Sequence, residues 1–129
     1  MIKKDYMLRL IQEFMIALQK MLEKKEIETK QQTLKKLYQQ FIGDATFYRL
    51  EPIEEILKAL KEMPEDERLG KTEMLAELYY HEGLLSNDCQ RHFFYNKAMH
   101  LYTLIETQTK TFSTERRTKM QKLQQALNA

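Results

Sequence analysis

Three features of this sequence predict an all-α fold. Leu, Lys, Glu, Gln and Met dominate the composition, and all are good helix formers. Val is absent and Ile supplies the rest, so the β-branched apolar residues that favour sheets are scarce. Apolar residues recur at steps of three and four through most of the chain, the spacing that puts them on one helical face. With 129 residues, 43% of them apolar, the chain fits one domain over 1–129. Such a domain buries about two-thirds of its unfolded surface. Five to six helices are expected.

The first helix is expected to run from the first residues to about Lys24. Met7, Ile11, Phe14, Leu18 and Met21 form its inner seam. Leu8, Met15 and Leu22 lie beside that seam, and Ile2, Tyr6, Leu10 and Ala17 widen the apolar face. A stripe this broad suits contact with several neighbours, or half of a dimer seam. The second helix is expected over 26–42, with Ile27, Leu34, Leu37, Tyr38, Phe41 and Ile42 on one side. Lys24-Lys25-Glu26 offers no good N-cap, which leaves open one bent rod or two helices. Gly43 is expected to end this segment in the left-handed conformation. Phe47, Tyr48 and Leu50 then form a short apolar patch.

Pro52 suits the first turn of the third helix, where its missing N–H costs nothing. Ile53, Ile56, Leu57 and Leu60 form the buried stripe, and Met63-Pro64 closes it. The fourth helix opens at Pro64 or nearer Lys71. Its inner residues are Met74, Leu75, Leu78 and Tyr79, and Gly83 with the tip Ser86-Asn87-Asp88 separates it from the fifth. There Phe94, Ala98, Leu101 and Ile105 face inward, flanked by Phe93, Tyr95, Tyr102 and Leu104. Ser113 caps a last helix with the narrow stripe Met120, Leu123 and Leu127, expected to be a peripheral lid.

Within 71–106, Tyr79, Gly83, Tyr95 and Ala98 resemble the tetratricopeptide (TPR) pattern. In that pattern a small residue lets two helices approach while aromatics fill the groove between them. Thr72 stands where that family favours Trp, Arg91 where it favours a small residue, and no second copy follows at the 34-residue period. The opening Met1-Ile2-Lys3-Lys4-Asp5-Tyr6, Phe41-Ile42-Gly43-Asp44, Leu50-Glu51-Pro52, Glu77-Leu78-Tyr79-Tyr80 and Ser113-Thr114-Glu115-Arg116 are similar to a small uncharacterised bacterial family of all-helical, TPR-like proteins. That resemblance implies a helical fold and carries no functional residues across.

Cys89 is the only cysteine, so no internal disulfide forms. Met1 to Leu22 is interrupted by Arg9, Gln12 and Glu13, and no small-residue cleavage site follows, so no signal peptide is expected. No run of about 18 uncharged apolar residues exists to span a membrane. A cytoplasmic location is the expectation.

Net charge is +2, unevenly spread. Segment 51–83 carries four Lys/Arg against ten Asp/Glu, or −6, and 107–129 carries five Lys/Arg against Glu115 alone, or +4. Opposite signs could bring the two segments together, within one molecule or between two, but two solvated helix faces is the favoured reading, since exposed ion pairs are worth little. Nucleic-acid binding through Lys110, Arg116, Arg117, Lys119 and Lys122 is the alternative reading, opposed by the acidic middle.

Neither a metal nor a cofactor is expected. Glu77 and His81 sit one helical turn apart, but no matching Glu-x-x-His recurs on a second helix and no Cys/His spacing suits zinc. His92 and His100 read as surface or partly buried residues. Cys89 and His92 lie near a helix start, without an orienting group or an oxyanion site, so no enzyme is expected. The three glycines, at 43, 70 and 83, form no phosphate loop. The favoured role is a non-enzymatic interaction or scaffolding module, with homodimerisation one form of it. Its candidate surface is Tyr79, Tyr80, Phe93, Tyr95 and Tyr102, the aromatic surplus of the hairpin.

Overall fold

The computed structural model describes residues 2–129, with side chains from residue 5 onward. Seven helices follow one another, and no strand is present among the described residues: α1 (Ile2–Leu22), α2 (Ile27–Phe41), α3 (Ala45–Leu50), α4 (Ile53–Glu62), α5 (Glu65–Leu85), α6 (Asp88–Thr109) and α7 (Thr114–Leu127). The count exceeds the expected five to six because Phe47, Tyr48 and Leu50 belong to a short helix, α3. Helices α1 and α2 are separate, broken over 23–26.

Helix α5 is central, packing against α1, α2, α4 and α6. It buries residues around its circumference, including Met74, Leu75, Ala76, Leu78, Tyr79 and Tyr80, which is what a helix surrounded by neighbours requires. Helices α5 and α6 form an antiparallel hairpin joined only by Ser86 and Asn87, shorter than the expected tip because Asp88 already belongs to α6. The Asn87 side chain accepts from the Gln90 N–H at 3.1 Å and starts the return helix. Helix α2 runs antiparallel to α5, since Lys71 reaches the Phe41 carbonyl while Gln31 reaches that of Leu85.

The core joins these helices. Met7, Phe14, Leu18 and Met21 of α1 are buried as the seam requires, and Phe14 meets Phe41 edge-on at 5.4 Å. Ile11 is partly buried, while the Ile2 side chain lies outside the described residues. Tyr38, Tyr79 and Phe94 continue the cluster, with ring centroids 6.1 and 6.3 Å apart. Aromatic contacts of this kind add about 0.5–1.5 kcal/mol each beyond burial.

The glycines serve close packing, and none has positive φ. Gly43 therefore does not end α2 in the left-handed conformation; α2 stops at Phe41, and a Cβ on Gly43 would meet the Tyr48 ring at 2.8 Å. Gly70 lies inside α5 and lets Met7 and Ile11 of α1 approach. Gly83 also lies inside α5 instead of ending it, directly under the Tyr95 ring. Pro52 and Pro64 each sit one position before the first helical residue.

Without glycine caps, the helix ends need other donors for their last carbonyls. Cationic side chains from later in the chain supply them. Lys71 donates to Phe41 at the end of α2, and Arg68 donates to the Leu60, Lys61 and Met63 carbonyls at the end of α4. Arg91 donates to Gly83 and Ser86 at the end of α5. Each cation also complements the negative end of a helix dipole. This explains Arg91 at a position where a small residue was the pattern.

Candidate functional site

The polar chemistry of the molecule gathers in two clusters on different faces of α5. The first joins the hairpin to α3. Lys97 of α6 is almost fully buried, at 2% exposure, and donates to the carbonyls of Tyr48 (3.1 Å), Arg49 (3.2 Å) and Glu51 (2.8 Å). Its ammonium also lies over the rings of Tyr79 and Phe93, at 4.3 and 4.6 Å from their centroids. The Tyr79 hydroxyl donates to the same Tyr48 carbonyl at 2.6 Å. Arg49 forks onto Glu82 of α5, with Nε at 2.9 Å and Nη2 at 3.4 Å.

Burial lowers the Lys97 pKa to about 7, with Glu82 pulling it back up. Burial, followed by the charge of Glu82, holds the Tyr38 phenol well above its ordinary value. That phenol oxygen is enclosed and makes no hydrogen bond of normal geometry, although Glu82 lies close enough to bear on it. This cluster is a closed network that secures α3.

The second cluster joins the hairpin to α7. Glu77 of α5 accepts from the Tyr102 hydroxyl and the Lys119 ammonium. Glu106 of α6 receives Arg116 at 3.2 Å and Arg117 at 2.9 Å. Burial and then Glu77 push the Tyr102 phenol up, so it stays protonated and donating. His81 is also enclosed here, with its ring edge-on to Tyr80 at 5.4 Å. Burial lowers its pKa to about 4, Glu77 opposing and Lys119 reinforcing the shift.

A cleft of about 180 Å³ opens beside this second cluster, between α1 and α7 and floored by α5 and α6. The α1 wall supplies Ile11, Phe14 and Met15, the floor supplies Met74 and Ile105 beside Glu73 and Glu77, and the α7 wall supplies Arg116 and Lys119. Burial raises the Glu73 pKa, with Arg116 opposing it.

The hairpin aromatics chosen from the sequence as a surface are mostly core. Tyr79, Tyr80, Tyr95 and Tyr102 are 0%, 7%, 7% and 3% exposed; only Phe93, at 37%, reaches solvent. Their surplus area is consumed by α2, α3 and α7, and by each other: Tyr80 stacks on Tyr95 at 6.2 Å. Among the described residues α1 carries the largest share of exposed apolar side chains, Tyr6, Leu8, Met15, Ile16 and Leu22, while Ile27, Leu50, Leu69, Leu84 and Phe112 are scattered elsewhere. The sequence carried a signal for it, since Leu8, Met15 and Leu22 repeat every seven residues beside the buried seam.

Cys89, His92 and His100 are exposed on α6. His81 is buried, and its neighbour Glu77 is already engaged by Tyr102 and Lys119. Among the described residues no three His, Cys, Asp or Glu side chains assemble as a metal site. Among the described residues, too, no helix is long and apolar enough to cross a membrane. Arg116, Arg117 and Lys119 pair with Glu106 and Glu77, and Arg117 stays exposed together with Lys110 and Lys122. The chain is thus an all-helical protein of packed helix pairs, and it matches no family model, no curated protein and no solved structure.

Proposed function

We propose that this chain is a non-enzymatic protein-interaction or scaffolding module, with a TPR-like hairpin as its rigid centre and α1 as its contact surface. The observation that carries this reading is the outer face of α1. Leu8, Met15 and Leu22 are 53%, 45% and 38% exposed and fall on one line along the helix. Tyr6 and Ile16, at 55% and 59%, are exposed as well but lie on other sides of the same helix. Single exposed apolar residues are ordinary, but several gathered on one helix mark a contact surface. Heptad spacing suits a second helix laid along α1, and self-association of two α1 faces is the simplest form. A cytoplasmic location belongs to the same proposal and rests on the single unpaired thiol, Cys89.

Size exclusion with light scattering over a concentration series tests it, comparing the natural chain with the double variant Leu8→Glu/Leu22→Glu. Both positions are exposed, so the variant is expected to keep its helicity. A dimer that the variant abolishes supports self-association. If the natural chain is monomeric at every concentration, binds no hydrophobic-surface dye and loses nothing on double substitution, α1 is not a contact surface.

A further inference from the structure

We infer that the cleft between α1 and α7 is a binding site for an organic cation, a primary ammonium carried on an apolar body, with Glu73 as its counter-ion. Cavity, lining and unused charge point the same way. Four of the seven helices contribute to the cleft, so it is a feature of the assembled fold. Its polar wall holds two cations, yet both are already committed. Lys119 is paired with Glu77, and Arg116 donates to Glu106 and to the Thr111 carbonyl at 2.7 Å. Glu77 is committed as well, to Lys119 and to the Tyr102 hydroxyl.

Glu73 is the exception. It lines the cleft half-buried, and no hydrogen bond or ion pair engages it among the described residues. The Arg116 charge offsets its burial in part, but no donor among the described residues contacts its oxygens, and a carboxylate drawn partly out of water in that state gains from one. The α1 side is apolar, with Ile11, Phe14 and Met15, and Met74 and Ile105 of the floor add to this aliphatic, aromatic and thioether surface. The carboxylate therefore selects charge sign and the apolar lining takes an apolar body. Anions are disfavoured because the two cations that would receive them are neutralised in place. Glu115, exposed at the cleft's edge, adds to the same sign of field.

The test is a heteronuclear NMR titration of the full chain with n-hexylammonium, n-hexanol and hexanoate, for the natural protein and Glu73→Gln. Circular dichroism melts of both proteins establish that the variant folds. The inference predicts saturable shifts at α1, α5 and α7 resonances with hexylammonium. It predicts at least about tenfold weaker binding of the alcohol, and the same loss for the amine in Glu73→Gln, the size of one charge-assisted hydrogen bond. Equal binding of amine and alcohol would reduce the cleft to a greasy crevice. Preference for hexanoate would show that Arg116 and Lys119 dominate it. Either result, absence of any saturable shift, or full amine affinity in a folded Glu73→Gln protein overturns the inference.

Discussion

The two flanks of the central hairpin are held by different physics. On one flank α3, only six residues long, is too short to be stable alone, yet it is fixed by buried groups: Lys97 on three carbonyls, Tyr79 on one of them, Arg49 on Glu82. On the other flank α7, fourteen residues long, buries only Leu123 and leans on ion pairs to Glu77 and Glu106. Length and attachment are inverted. A short helix can be rigid if its carbonyls meet a buried cation, and a longer one stays loosely bound when it buries one apolar side chain and its ion pairs lie at the solvent edge.

The largest expected effect lies on the α3 flank. Lys97→Met keeps most of the apolar stem but leaves the Arg49 and Glu51 carbonyls without a donor. Leaving a buried network without its charge costs roughly 3–4 kcal/mol. Urea denaturation should show that loss; a change under about 1 kcal/mol would mean that water replaces the ammonium readily and that Lys97 does not secure α3.

Next comes acid on the α7 flank. His81 titrates near 4 in the folded protein against an ordinary 6.5, so the unfolded chain binds more protons between those values. Its contribution is complete above pH 6.5 and is lost as pH falls toward 4, to about 3 kcal/mol at the bottom of that window. His81→Gln should flatten this part of the stability–pH curve. If natural and variant proteins lose stability in parallel between pH 6.5 and 4, His81 is not held neutral.

Smaller again is Lys119→Met. The Lys119–Glu77 pair is partly exposed, with 26% and 15% of the two side chains open to solvent. A pair of this kind is worth about 1 kcal/mol at most, less in salt. Thermal melts at low and high ionic strength should converge for this variant, whereas a loss as large as that of Lys97→Met would erase the distinction between the flanks.

Much of the fold was readable in the residues. The seam of α1 and the inner positions of the hairpin, Leu75, Leu78, Tyr79, Phe94, Ala98, Leu101 and Ile105, are set by helical periodicity, and all of these hairpin residues are buried. What periodicity does not carry is the third dimension. Phe47, Tyr48 and Leu50 span too few residues to show a helical period, so α3 was hidden. Lys97 looks like any surface lysine, because its burial depends on where α3 docks 46 to 49 residues earlier in the chain. The glycines misled for the same reason: Gly43 and Gly83 sit where helices were expected to end, while their use is contact with Tyr48 and Tyr95. The hairpin aromatics misled as well, since residue type does not report which neighbour covers a ring. The opposite charges of 51–83 and 107–129 read first as two solvated faces, yet they meet as Lys119 on Glu77, because α7 docks along α6 and brings Lys119 to α5.

Hydrogen exchange resolved by residue, run in low and in high salt, tests the contrast between the flanks most directly. The structure predicts that amides of α7 lose protection when salt weakens the Glu77 and Glu106 pairs, while those of α3, α5 and α6 keep theirs. Equal protection of α3 and α7 in both salts, or loss at α3 before α7, would contradict the account that a buried lysine locks one flank and partly solvated ion pairs only tether the other.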